Sequence, residues 1–102
     1  MKSKEIQWLQ EKILEFMAVI DDCLSSTIYT SDRPIYINDL ATASKWLIRL
    51  HNKESVDDIC REIISTGTAK YFGDYWRQGP WGDNEMTALN ILQQKVKEKF
   101  RL

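Results

Sequence analysis

The strongest constraint on this chain lies in its first quarter. There Ile6, Leu9, Ile13, Phe16, Met17, Ile20 and Leu24 recur three or four residues apart. That period matches the turn of an α-helix and places all seven side chains on one stripe. A strand would send alternate members to opposite faces. The spacing predicts a first helix from Ser3, a suitable N-cap, to Ser25. Asp21 and Asp22 near its end oppose the helix dipole. Trp8 and Val19 fall beside the stripe, where they either widen the buried face or stay partly exposed.

A single-sided helix needs partners, and the rest of the chain supplies them. Asn38 or Asp39 can cap a second helix running to about His51, with Leu40, Ala43, Trp46, Leu47 and Leu50 inward and Asn52 as its stop. Leu47, at the centre of that stripe, is expected to be buried. Ser55-Val56-Asp57-Asp58 resembles a capping box, so a third helix follows, with Val56, Ile59, Cys60, Ile63 and Ile64 inward. Gly67 either ends it or marks a close helix contact. Asp83 or Asn84 opens a fourth helix, whose apolar face is Met86, Leu89, Leu92, Val96 and Phe100. Glu85 at its start and Lys95, Lys97, Lys99 and Arg101 towards its end suit the macrodipole.

The connector from Ser26 to Ile37 carries Ile28, Tyr29, Ile35, Tyr36 and Ile37 around Pro34. It is read as an extended loop packing its Ile and Tyr side chains on the helices. A short hairpin is less favoured, because Pro34 and the shortness of the runs weaken it. With 102 residues and 43% hydrophobic content, the chain forms one domain, residues 1–102. The expected fold class is all-α: a small four-helix domain with an aromatic, Gly-rich loop between helices three and four.

Charge and composition exclude several functions. A net charge of −1 gives no electrostatic pull towards nucleic acid or an anionic membrane surface. No apolar run reaches membrane length. Lys4, Glu5, Gln7, Gln10, Glu11 and Lys12 interrupt any leader-like apolar stretch. The expected setting is cytoplasmic, with Cys23 and Cys60 reduced, buried on their helices and poorly reactive.

Chemistry-bearing residues are sparse. His51 is the only histidine, and no second and third group can be assembled around it as in a hydrolase or transferase site. An exposed His at the end of helix two accounts for it. Asp57, Asp58 and Glu62, with Asp21, Asp22 and Glu54 as further members, suggest an acidic patch. Their spacing fits no metal-binding loop, so the patch is either a solvated helix face or a docking surface for a basic partner. The basic tail from Lys95 to Arg101 is short and interrupted by Glu98. The glycines match neither a phosphate-binding loop nor a dinucleotide fingerprint, so no cofactor and no metal is expected.

One segment remains: Tyr71-Phe72-Gly73-Asp74-Tyr75-Trp76-Arg77-Gln78-Gly79-Pro80-Trp81-Gly82-Asp83. Gly and Pro keep it out of a regular helix. Tyr71 and Phe72 suit the end of the bundle. Asp74, Tyr75, Trp76, Arg77 and Trp81 have the composition of an interface hot spot. They are the candidate partner-binding residues, together with Asp57, Asp58 and Glu62.

From about Ala41 onward the chain resembles the small helical immunity proteins that neutralise NAD(P)-glycohydrolase effectors of bacterial type VI secretion. The likeness rests on Ala43-Ser44-Lys45-Trp46-Leu47-Ile48-Arg49, on the Ile63–Phe72 segment with Gly67 and Ala69, and on Asp83-Asn84-Glu85-Met86 leading to Ala88-Leu89. Relative to that pattern, Ala69 follows Gly67 closely and Gly73–Gly82 is an insertion. The resemblance implies a non-catalytic inhibitor of bacterial competition that blocks a toxin's active-site cleft. The alternative is a helical adaptor or regulatory domain that binds another cellular protein.

Overall fold

A computed structural model describes residues 2–26, 30, 31, 33–66 and 88–101. Among them are four helices and no strand: α1 (Lys2–Ser26), α2 (Arg33–His51), α3 (Val56–Ser65) and α4 (Ala88–Phe100). The domain is all-α, as the periodicity predicts. α1 packs chiefly along α2, and α4 lies against both α1 and α3.

The core is built from the predicted stripes. Leu9, Ile13, Phe16 and Ile20 of α1 meet Ala43, Trp46 and Leu50 of α2. Ile59, Cys60 and Ile63 of α3 and Leu89, Leu92 and Val96 of α4 complete it. Burying one such aliphatic side chain contributes about 1.5–3 kcal/mol. Phe16 stacks on Trp46, with ring centres 6.4 Å apart. Trp8 meets Phe100 edge-to-face at 5.8 Å, and both side chains pack against the core cluster. Trp8 and Val19 therefore widen the packed face of α1. Ile6, Met17 and Leu24 are only half-buried.

Four expectations need correction. The second helix starts at Arg33, well before Asn38 or Asp39. Pro34, which counts against a hairpin in the connector, sits in the first turn of α2, where its missing N–H would be unpaired anyway. Thr30 and Ser31 form a turn, and the Arg33 N–H donates to the Thr30 carbonyl at 3.3 Å. Of the connector's apolar side chains, Tyr36 packs on the core, whereas Ile35 and Ile37 are 52% and 55% exposed. Leu47 is half-buried at the edge of the core rather than in its centre. Asp39 is no cap: it lies inside α2 and is 2% exposed. Among the described residues, no buried side-chain nitrogen or oxygen lacks a hydrogen-bond partner.

The described part of the fourth helix begins at Ala88. The expected caps Asp83 and Asn84, and Met86, lie outside the described residues. So does Gly67. α3 ends at Ser65, with Thr66 extended and its N–H donated to the Ile63 carbonyl at 3.3 Å.

Candidate interaction site

The acidic residues of α3 sit on a corner that local chemistry holds from both sides. α2 ends in a Schellman motif. Lys53 takes the left-handed conformation, φ 61°, and its N–H donates to the Leu50 carbonyl at 3.1 Å. The Glu54 N–H reaches back to the Arg49 carbonyl at 3.0 Å. These are the paired bonds that satisfy the last carbonyls of a helix, here with Lys where Gly is usual. One residue later, Ser55 caps α3. Its Oγ accepts from the Asp58 N–H at 3.3 Å, and its carbonyl accepts from the Ile59 N–H at 3.1 Å. The predicted cap is therefore present.

Arg49 ties the corner together. Its Nε donates to Glu54 Oε1 at 3.1 Å, and its Nη1 pairs with Glu62 Oε2. The hydrogen bond to Glu54, ahead of the one to Glu62, outweighs desolvation and raises the guanidinium's already high pKa. All three side chains are partly solvated, so each pair stabilises by only about 0.5 kcal/mol. They link the end of α2 to the turn that follows it and to α3.

This geometry divides the predicted acidic patch. Glu54 and Glu62 spend their charge on Arg49. Asp57 and Asp58 are exposed in the first turn of α3, where they suit its dipole. No cation among the described residues pairs with either. Asp21 and Asp22 are exposed near the end of α1. Asp74, Tyr75, Trp76, Arg77 and Trp81 lie outside the described residues.

The other candidates are placed as follows. His51 is exposed in the last turn of α2. Cys60 is fully buried and free, and burial, then Asp57 and Glu5, push its thiol up to about 12. Cys23 is free and half-buried, with its thiol raised by burial and then by Asp22. Among the described residues, no three His, Cys, Asp or Glu side chains are grouped to hold a metal ion. None of the described helices is long and apolar enough to cross a membrane.

Sequence reasoning missed Gln93. From α4 its Nε2 donates towards the carbonyls of Ile63 at 2.9 Å, Ile64 at 3.2 Å and Thr66 at 2.7 Å. It closes the C-terminal end of α3 as the Schellman turn closes α2. One signal was available: Gln93 falls four residues after Leu89 and three before Val96, within the apolar stripe. A polar residue at that position needs an internal partner.

Comparison with known proteins adds no assignment: no family model, no curated protein and no solved structure matches the chain.

Proposed function

We propose that this chain is a non-catalytic immunity protein that binds a cognate bacterial toxin and occludes its active site. The resemblance points to an NAD(P)-glycohydrolase as the toxin class and to the cytoplasm as the setting. The observation that carries the reading is the pair Asp57 and Asp58. Two exposed carboxylates, unpaired among the described residues, are held on a corner braced by Arg49, Ser55 and the Schellman turn. A cleft that binds a dinucleotide's phosphates is electropositive. Fixed carboxylates suit such a cleft and would steer association. The aromatic composition of residues 71–83 supports the reading, since Tyr75, Trp76 and Trp81 offer large contact area at low entropic cost. Asp74 and Arg77 add directional polar contacts.

The test begins at the locus. An immunity gene lies beside a larger toxin gene, and its loss is lethal only while that toxin is active. Calorimetry of the purified neighbour against this protein then follows. Trp76→Ala or Trp81→Ala should weaken binding by about 2 kcal/mol or more. Replacing Asp57 and Asp58 together by Asn should slow association and reduce its salt dependence. The absence of any adjacent toxin gene, or normal binding by all these variants, favours a helical adaptor instead. A catalytic activity of this protein that His51→Ala abolishes would overturn the non-catalytic reading.

A further inference from the structure

Lys12, Glu15, Phe16 and Val19 follow one another at helical spacing and share one face of α1. Ile91, Leu92 and Lys95 share a face of α4 in the same way. Between the two faces lies a pocket of about 350 Å³, counted out to its mouth, that these seven residues line. Phe16 and Leu92, each 3% exposed, form its floor. Val19 and Ile91, both half-buried, form its walls. Stacking on Trp46 of α2 fixes Phe16 from behind. The volume is at the lower end for ligand pockets, which span roughly 300–1,000 Å³. An apolar body no larger than a short alkyl chain or a single aromatic ring suits it.

The rim is polar and unequally charged, with two ammoniums against one carboxylate. Glu15 Oε1 accepts a hydrogen bond from Lys12 Nζ at 3.2 Å. Lys12 is also held over the Trp8 ring, its Nζ 5.9 Å from the ring centre. Glu15 Oε2 stands 3.8 Å from Lys95 Nζ, beyond hydrogen-bond length. Lys95 is thus attracted to Glu15 but keeps its N–H donors for another acceptor. One positive charge is left over beside an apolar floor. The complementary molecule carries one negative charge and an apolar body. A second negative charge would meet Glu15, which is itself half-exposed at the rim.

We propose that the pocket between α1 and α4 binds a small monoanionic amphiphile, a short-chain or single-ring carboxylic acid. Its carboxylate sits on Lys95, and its apolar part covers Phe16, Val19, Ile91 and Leu92. No lining residue belongs to α3, so the site is separate from Asp57 and Asp58 and independent of the toxin-binding reading.

Titration of octanoate into the isotope-labelled full chain, followed by NMR, tests this. The expected result is saturable shifts centred on Val19, Ile91 and Leu92, with a Kd on the order of 1 mM or tighter. Octanamide has the same body without the charge, and acetate has the charge without the body. Each should bind at least about threefold more weakly than octanoate. Lys95→Gln should lower octanoate to the affinity of octanamide and leave octanamide unchanged. Ile48→Asn, which removes an exposed apolar side chain from α2, should change neither. The absence of saturable shifts at the pocket overturns the proposal, as do shifts centred on Ile37 and Ile48. Equal affinity for octanamide and octanoate, or normal octanoate binding by Lys95→Gln, overturns the role of charge. Tighter binding of octyl phosphate than of octanoate overturns the carboxylate assignment.

Discussion

Gln93 of α4 donates its side-chain amide to the carbonyl of Thr66 at 2.7 Å, just past the last turn of α3. A helix end carries carbonyls with no intrahelical partner, and burial makes an unmet one costly. Here a residue 27 positions away in sequence satisfies them. One amide therefore links the packing of α4 to the integrity of α3.

Replacing Gln93 with Ala should cost about 1–3 kcal/mol, since the carbonyls of Ile64 and Thr66 lose this donor while that of Ile63 keeps the Thr66 N–H. Gln93→Glu should cost at least as much at neutral pH, because a carboxylate has no proton to donate. Urea titration of both variants measures the effect. Losses within experimental error of zero would show that water replaces the amide freely.

Lys53 offers a gain rather than a loss. A side chain in the left-handed region costs roughly 1–2 kcal/mol per residue relative to the right-handed form, a penalty glycine escapes. Lys53→Gly should raise stability by up to about 1 kcal/mol, partly offset by the greater freedom of Gly in the unfolded chain. Lys53→Val, β-branched, should lower it. Thermal melts of the two variants should move in opposite directions, and movement together contradicts the αL assignment.

The buried thiol predicts an alkaline limit. The Cys60 thiol ordinarily titrates at 9.0, and in the fold it is pushed up to about 12. Between those values the unfolded chain has lost the proton while the native chain keeps it. Stability therefore falls as pH rises from about 9 to about 12, and this contribution is intact below pH 9. Cys60→Ala should flatten that part of the stability–pH curve relative to wild type. Native Cys60 should also resist thiol reagents until denaturant is added. Rapid labelling of the native protein at Cys60 would falsify the burial on which both statements rest.

Ile63 and Leu47 should separate in a core scan. Ile63 is 0% exposed within the core cluster, so Ile63→Ala should cost about 2–5 kcal/mol. Leu47 is only half-buried, and Leu47→Ala should cost clearly less. Denaturant midpoints of the two variants decide the order.

How much of this was legible follows from which signals are local. The stripe Leu9–Ile13–Phe16–Ile20 and the Ser55 cap are properties of short windows, and both are present in the structure. The start of α2 is placed too late from sequence because Ile35, Tyr36 and Ile37 are β-branched or aromatic and read as extended, while Pro34, which weakens a hairpin, equally suits a helix's first turn. Lys53 carries no sign of its positive φ, since the Gly that normally advertises one is absent. Gln93 and Asp39 take their roles from segments distant in sequence, which periodicity cannot register. At the candidate site, Asp57 and Asp58 were identified from sequence. The engagement of Glu54 and Glu62 by Arg49 was not, because it depends on the angle between two helices.

The edge-to-face contact of Trp8 with Phe100 joins the first helix to the last, and this has a kinetic side. Entropy must be given up to close so long a loop before any contact rewards it. α1, α2 and α3 are joined by short connections and can assemble first, with α4 docking late. Contacts that form after the rate-limiting step affect unfolding more than folding. Trimming Phe100 to Leu should thus steepen nothing on the folding arm of a chevron plot while raising its unfolding arm. The lifetime of the native state, more than the speed of reaching it, is set where the two ends of the bundle meet.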